Sequence, residues 1–326
     1  PYTDFAEALE KEQPEVVAVP SSNASHAPLT IQAAGCPSVK GIYCEKPMAV
    51  SMGEARAMAE ACEQAGVKLV INHQRRIGPD MVMARQLIED GAIGEVRRVR
   101  VQNAGDILSD GTHAVDSALH LLGDPDVEWV FGALHREVNE EMVARAKRQR
   151  AQGKVSEPGY RYGHPVENGG MAVIGVREGL RIELFCGDMR EDFRIYQDYE
   201  VFGDEGRIWR TGDRHDPNLF IQDADGGTWS AGMDEWTLKP VEGDAEGGWR
   251  PVEVKDRRAV HGIERGLRKM ALWIHEDRPH EMCAANALRG FEIIMSVYES
   301  ARLGKKIEMP LQQDEFPLQL MVDALT

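Results

Sequence analysis

Cysteine is scarce in this sequence. The five cysteines among 326 residues (Cys36, Cys44, Cys62, Cys186, Cys283) are odd in number and never form a Cys-x-x-Cys pair. That pattern excludes a disulfide scaffold and a structural zinc site, and it suits a reducing compartment, so a cytoplasmic location is expected. No apolar run approaches the about 18 residues that a membrane span needs. There is no internal repeat and no low-complexity segment. Positive charge is in deficit as well: 38 Lys and Arg face 54 Asp and Glu, for a net charge of −16. A field of that sign repels polyanions, which argues against nucleic acid or an anionic membrane surface as partner. The two basic clusters, Arg97-Arg98-Val99-Arg100 and residues 145–150, lie near acidic neighbours and read as solvated faces. What remains is an ordinary globular composition, 42% apolar and 28% charged, long enough for about two domains. No signal peptide is visible, but the chain opens abruptly, as though inside a domain, which leaves an upstream leader open.

Residues 3–94 alternate helix and strand signals. Residues 3–11 predict a helix with Thr3 as N-cap, and Val16-Val17-Ala18-Val19 predicts a strand buried on both faces of a parallel sheet. A short helix over 28–34 leads to a strand at Gly41-Ile42-Tyr43-Cys44. Ser51-Met52-Gly53-Glu54 has the form of a capping box and opens a helix that stops at Gly66. A third strand over 67–71 and a helix over 81–89 follow. This is the doubly wound α/β pattern. Gly-x-Gly-x-x-Gly after a strand occurs nowhere in the sequence. From Glu95 the texture changes. A strand over 96–101 and a helix over 112–122 precede a polar stretch, 136–168. Runs over 171–176, 180–186, 198–202 and 207–209 then predict a mostly antiparallel sheet. Residues 211–250 suggest shorter strands and loops around Trp229, Trp236 and Trp249. Helices over 261–275 and 284–303 and a short strand over 305–310 close the chain. The expected division is 1–94, part of an α/β unit, and 95–326, an α+β domain with a large sheet.

Four constellations carry chemistry. Pro20-Ser21-Ser22-Asn23-Ala24-Ser25-His26 follows a parallel strand, where open sheets bind ligands. Its small hydroxyl and amide groups suit a cofactor's backbone approach, or simply a polar loop with a helix cap. Glu45-Lys46-Pro47 stands at the next strand's end. A partly desolvated lysine there can polarise a substrate oxygen or pass it a proton, although a solvated strand end looks the same. A cis peptide before Pro47 is possible. Gly111-Thr112-His113-Ala114-Val115-Asp116 opens a helix read as amphipathic, with His113, Asp116 or Ser117, and His120 on one face. His113 is placed to exchange a proton, or to serve as a capping histidine paired with Asp116. No further strong ligand joins them, so no metal is expected. Asn72-His73-Gln74-Arg75-Arg76 follows the third strand, and its arginines suit a phosphate, a carboxylate, a hydroxyl-rich substrate, or a surface salt bridge.

In this order and spacing the motifs resemble those of the Gfo/Idh/MocA family (glucose-fructose oxidoreductase, inositol dehydrogenase, rhizopine catabolism). The resemblance runs through essentially the whole chain. It includes Gln74-Arg75-Arg76 with Pro79, the turn Phe202-Gly203-Asp204-Glu205-Gly206, and the closing Tyr298-Glu299-Ser300-Ala301. It implies a partial Rossmann domain over 1–94 holding NAD or NADP. The α+β domain over 95–326 would bind substrate, and its sheet would join copies into a dimer or tetramer. By the same resemblance Lys46 and His113 would flank a sugar or polyol carbinol, with Asp110 assisting. Ser21, Ser22, Asn23, His26, Glu45, Lys46 and Gln74 would line the cofactor, and Arg75, Asp116 and Tyr162 the substrate. The implied activity is hydride transfer between nicotinamide and a hydroxyl or keto carbon of a sugar, sugar acid or cyclitol. A glycoside hydrolase that retains NAD, its pocket reshaped by Tyr160, Tyr162 and His164, is one alternative. A sugar-sensing protein without turnover is another.

Two departures from the family pattern matter. Members often carry an aspartate four residues before the histidine, where this sequence has Ser109 and places the acid one residue later, at Asp110. The first strand-helix-strand, with its Gly-rich phosphate turn, is absent, so the natural protein is expected to be longer than this chain.

Overall fold

The computed structural model describes residues 1–152, 157–192, 196–212, 217–222, 249–254 and 262–325. Three strands, β1 (Val16–Val19), β2 (Gly41–Cys44) and β3 (Lys68–Ile71), form a parallel sheet in that order. Helices α1 (Phe5–Glu12), α2 (His26–Ala34), α3 (Met52–Gln64) and α4 (Pro79–Glu89) accompany it. Parallel strands need crossovers of this kind, because a tight hairpin cannot return the chain in the same direction. The starts are set by local chemistry. Asp4, not Thr3, caps α1, accepting from the Glu7 amide. Ser51 caps α3 by accepting from the Glu54 amide, and the Glu54 carboxylate reaches back to the Val50 amide, one residue short of a standard capping box. Pro79 opens α4, where its missing N–H costs nothing.

The sequence reading put β1 in the middle of covered layers, and the structure corrects that. Val17 and Val19 are buried while Val16 is 44% exposed, because among the described residues one face of β1 has no cover. β2, between its neighbours, is buried at every position.

Beyond α4 the chain builds a second, larger sheet. Its first strands are β4 (Val96–Asn103) and β5 (Val127–His135), separated by α5 (Gly111–Leu121). Helix α6 (Glu140–Ala151) and a hairpin of β6 (Tyr160–Arg161) and β7 (His164–Pro165) occupy the polar stretch. Then come β8 (Gly169–Val176), β9 (Arg181–Gly187), β10 (Gln197–Gly203), β11 (Arg207–Arg210), β12 (Leu219–Gln222) and β13 (Arg250–Pro251). Two long helices, α7 (Gly262–Glu276) and α8 (Ala284–Leu303), precede β14 (Ile307–Glu308) and α9 (Pro317–Asp323). The nine strands run β13-β12-β11-β10-β4-β9-β8-β5-β14, all antiparallel except the β4–β9 pair. Trp229, Trp236 and the expected first helical residue His261 lie outside the described residues.

Register explains the layering. Val130, Ile174, Ile182, Val99, Val201, Ile208 and Ile221 are paired across seven strands and all are buried. α8 packs on β5 from that side, so closely that a Cβ at Gly132 would stand 2.8 Å from the Val297 carbonyl oxygen. The neighbouring row, Phe131, Val173, Glu183, Arg100, Glu200, Trp209 and Phe220, is partly or fully exposed. This is period-two alternation on a sheet with one covered face. The two sheets are not independent. α7 returns to the first of them, where Met270 joins Tyr43, Val70, Ile77 and Met282 in a small core of their own.

Helix α5 departs from its expected amphipathic character. Every residue from Gly111 to Leu121 is buried, polar ones included, because α4 and α8 both pack against it.

Candidate active site

Because β1, β2 and β3 are parallel, the loops after them emerge side by side at one edge of the sheet. Those loops carry the residues singled out above. His26 is fully buried and ties two of them together. Its Nδ1 donates to the Pro47 carbonyl at 2.7 Å, and its Nε2 lies 3.2 Å from the Ser21 carbonyl. His26 therefore braces the cleft from behind and does not line it. Ser21 and Ser22 are exposed, and the peptide between Lys46 and Pro47 is cis.

Lys46 points at the loop that leads into α5. Its Nζ donates to the Ser109 carbonyl at 2.6 Å and stands 3.9 Å from Asp110 Oδ1, with the lysine side chain 20% exposed. Burial lowers its pKa, against the opposing fields of Asp110, Asp106 and Glu45. Asp110 occupies the N-cap position of α5 but makes no capping bond, its carboxylate being turned toward Lys46. The acid that follows Ser109 does, then, reach the lysine. Asn23 Nδ2 meets Ser109 Oγ at 3.3 Å and His164 Nε2 at 2.9 Å. His164 Nδ1 faces the Pro165 carbonyl at 2.9 Å, and a carbonyl can only accept. The proton therefore sits on Nδ1, and Nε2 accepts from Asn23. That bond buttons the β6–β7 hairpin onto the loop after β1. At the hairpin turn, Gly163 (φ 90°) has the Ala24 methyl 2.9 Å from where its own Cβ would stand, so only glycine fits.

His113, in the first turn of α5, is 7% exposed, and its Nδ1 has no hydrogen-bond partner among the described residues. Burial, with the charges of Arg75 and Lys46, holds its pKa well below the usual histidine value, so the ring is neutral at pH 7. It does not pair with Asp116. His73 packs edge-on against it at 5.5 Å between ring centres, and His73 Nδ1 lies 3.6 Å from Asp116 Oδ2.

Asp116 itself is 1% exposed, and Arg76 grips both its oxygens, at 3.1 and 2.8 Å. The structure thus places Asp116 in a buried ion pair and away from the cleft. Glu45 accepts from Asn72 Nδ2 at 2.7 Å, and Asn72 in turn accepts from the Tyr43 hydroxyl. Gln74 lies against Gly262 at the start of α7, its Oε1 buried without a partner among the described residues. Arg75 sits over the Tyr196 ring at 5.1 Å. Tyr162 is half exposed at the hairpin tip, under the Arg161 guanidinium.

The structure therefore brings Lys46, Ser109, Asp110 and Asn23 into one cluster, with His113 and Arg75 within electrostatic reach. Several members escaped the sequence reading. Asp106 accepts from the Ser109 amide at 2.6 Å, and Arg161 bridges Asp106 and Asp110 at 3.2 and 3.1 Å. Glu167 accepts from the Ile107 amide at 2.5 Å and from the Tyr298 hydroxyl at 2.9 Å, while that hydroxyl accepts from the Leu108 amide. Burial and Asp106 push the Glu167 pKa up to about 7. The four-residue spacing of Asp106 and Asp110 was a usable signal. Arg161 and Glu167 carried none, since both reach this loop from remote segments.

Residues 1–73 match the family described as oxidoreductase family, NAD-binding Rossmann fold, GFO_IDH_MocA. Over those residues the chain is similar to the Gfo/Idh/MocA family. It is 34% identical over 140 residues to D-apiose dehydrogenase of Paraburkholderia graminis, a match covering 38% of this chain and 37% of that protein. It is 26% identical over 222 residues to myo-inositol 2-dehydrogenase of Thermotoga maritima, covering 64% and 60% respectively. These matches thus span less than two thirds of either relative. The fold is that of aldose-aldose oxidoreductase from Caulobacter crescentus, solved with glycerol, at a TM-score of 0.70 and 19% identity over 94% of this chain and 83% of that one. That likeness fits a three-stranded parallel sheet joined to a large, mostly antiparallel one.

Proposed function

We propose that the protein is an NAD(P)-dependent dehydrogenase acting on a CH–OH carbon of a sugar, sugar acid or cyclitol. The observation that carries this reading is the pair of depressed bases in this cluster: Lys46, at a strand's end and buried beside Asp110, and a neutral His113 in the first turn of α5, its Nδ1 unpartnered among the described residues. Neutral imidazole is the form that can take a proton from an alcohol. Relatives with partial matches are named dehydrogenases of apiose and of inositol.

NAD or NADP, when bound, would supply the hydride acceptor. The orphaned Gln74 Oε1 and His113 Nδ1 and the exposed Ser21 and Ser22 offer polar contacts suited to its nicotinamide end. Glu45 and Asn23 would keep that edge polar while bonded to their own neighbours. The usual pyrophosphate seat, a Gly-rich turn opening onto a helix, is not among these 326 residues. In the direction of oxidation, His113 takes the hydroxyl proton while Lys46 Nζ, already aimed by the Ser109 carbonyl, donates to the same oxygen. Arg75 and Tyr162 would hold the remaining hydroxyls. We assign residues 1–94 to the cofactor domain and 95–326 to the substrate domain, and place contacts between copies on the open face of the large sheet.

The test is reduced-nicotinamide absorbance with NAD or NADP over a panel of polyols and sugars. Turnover is expected, falling about 10²–10⁴-fold in His113→Ala and in Lys46→Ala. The absence of both turnover and calorimetric binding of either dinucleotide would sink the reading.

A further inference from the structure

Arg161 has no part in the reaction described above, yet its guanidinium reaches the same cluster from the β6–β7 hairpin. Its Nη1 lies 3.1 Å from Asp110 Oδ2 and 3.2 Å from Asp106 Oδ2. The other oxygen of Asp110 is 3.9 Å from Lys46 Nζ. The other oxygen of Asp106 holds the Ser109 amide, and the carbonyl of that same Ser109 accepts from Lys46. Two routes therefore connect Arg161 to the lysine amine, one through Asp110 alone and one through Asp106 and the Ser109 main chain. The guanidinium is fixed in turn. It stacks over Tyr162 at 4.5 Å, donates to that hydroxyl at 3.1 Å, and rides on a hairpin buttoned down through His164 and Asn23.

We propose that Arg161 is a positioning residue for Lys46, holding Asp106 and Asp110 in place and sharing their negative charge with the amine. The proposal rests on the reading of Lys46 as the group beside the reacting oxygen. The groups facing the amine are Asp110, Asp106 and Glu45, which favour its charged form, and Arg75, which opposes it. His113 and His73 feel the lysine charge in turn. Those facing Arg161 are Asp106, Asp110 and Tyr162, with His164 behind. Two carboxylates shared between two cations stabilise each cation less than they would one alone. With Arg161 gone, Asp110 answers only to Lys46, and the ammonium form gains.

The experiment reads Lys46 directly. Reductive methylation with ¹³C-formaldehyde and NMR titration of the dimethylamine, assigned by its loss in Lys46→Ala, gives the amine's pKa without any turnover. In Arg161→Leu that pKa is expected to rise by about one unit, about tenfold less free amine at a given pH. The Lys46-dependent limb of the kcat profile moves alkaline by the same amount. Arg161→Lys, which restores a cation, returns both toward the native values. Asp110→Asn, with its circular dichroism spectrum checked, shifts the amine the opposite way. An unchanged or lowered Lys46 pKa in a folded Arg161→Leu protein overturns the proposal. If the amine shifts as expected but no variant turns over any polyol, the function reading fails and the coupling stands.

Discussion

Among the described residues Arg76 is the largest fully buried side chain, and it holds two aspartates: Asp116 through both oxygens, and Asp124 at 2.7 and 2.8 Å. Removing one partner of such a pair leaves charge uncompensated away from water. Arg76→Ala is expected to lower the unfolding free energy by about 3–5 kcal/mol in a urea titration. Arg76→Lys should recover little, because an ammonium cannot reproduce the planar fork that reaches both carboxylates. A loss under 1 kcal/mol for the alanine variant would contradict this. At this scale the sequence was readable only in part. Lys46, His113 and Asn23 were found because they follow strands or open a helix, positions that local patterning reveals. Asp116 was misplaced because its spacing from His113 is the same whether it faces the cleft or, as here, Arg76. Which of two adjacent arginines turns inward depends on what waits inside, and that information lies 40 residues downstream.

Among the elements, the nine-stranded sheet has the most consequence. Its exposed row mixes Phe131, Trp209 and Phe220 with Arg100, Glu183 and Glu200, an apolar band laced with ion pairs such as Arg100–Glu200. Phe131 is 48% exposed and Met171, its diagonal neighbour on β8, 38%. Aromatic, partly exposed bands with balanced charge are the composition of protein–protein contacts. If copies associate here, sedimentation equilibrium should give a mass above 36.3 kDa, and Phe131→Asp should reduce it to that value. A native protein already at the monomer mass would refute it. The sheet's alternation was visible residue by residue, since period two needs only the sequence. Its order was not, because the parallel β4–β9 pair joins segments 78 or more positions apart and no local pattern fixes that choice. The short β6–β7 hairpin and α9 went unread for the opposite reason: they are too brief to show a period.

For the molecule as a whole, the buried histidines decide the response to acid. Burial depresses the pKa of His73, His113, His164 and His280, and brings His120 to about 4. A histidine whose folded pKa lies below its unfolded value contributes stability that is complete above about pH 6.5 and is lost as pH falls through the folded value. Asp80 and Asp116 act in the same direction at lower pH, since Arg210, and His73 with Arg76, outweigh their burial. Glu167, at about 7, Asp198, at about 6, and Glu292 oppose them, burial raising all three so that their contribution fades as pH rises. Five histidines against three acids set the sign. The melting temperature is expected to fall as pH is lowered from 7 to 4, with the decline beginning near 6.5, by differential scanning calorimetry. A melting temperature that stays level or climbs over that range would show that the raised acids dominate.

The bond from Lys46 to the carbonyl of Ser109 is made to the main chain. Every amino acid brings the same carbonyl, so position 109 can vary without losing the acceptor that aims the amine. Only the contacts of the serine hydroxyl with Asn23 and with His164 depend on the side chain. Descendants of this sequence could therefore explore new residues at 109, and with them new substrate shapes, while the lysine keeps its aim throughout the search.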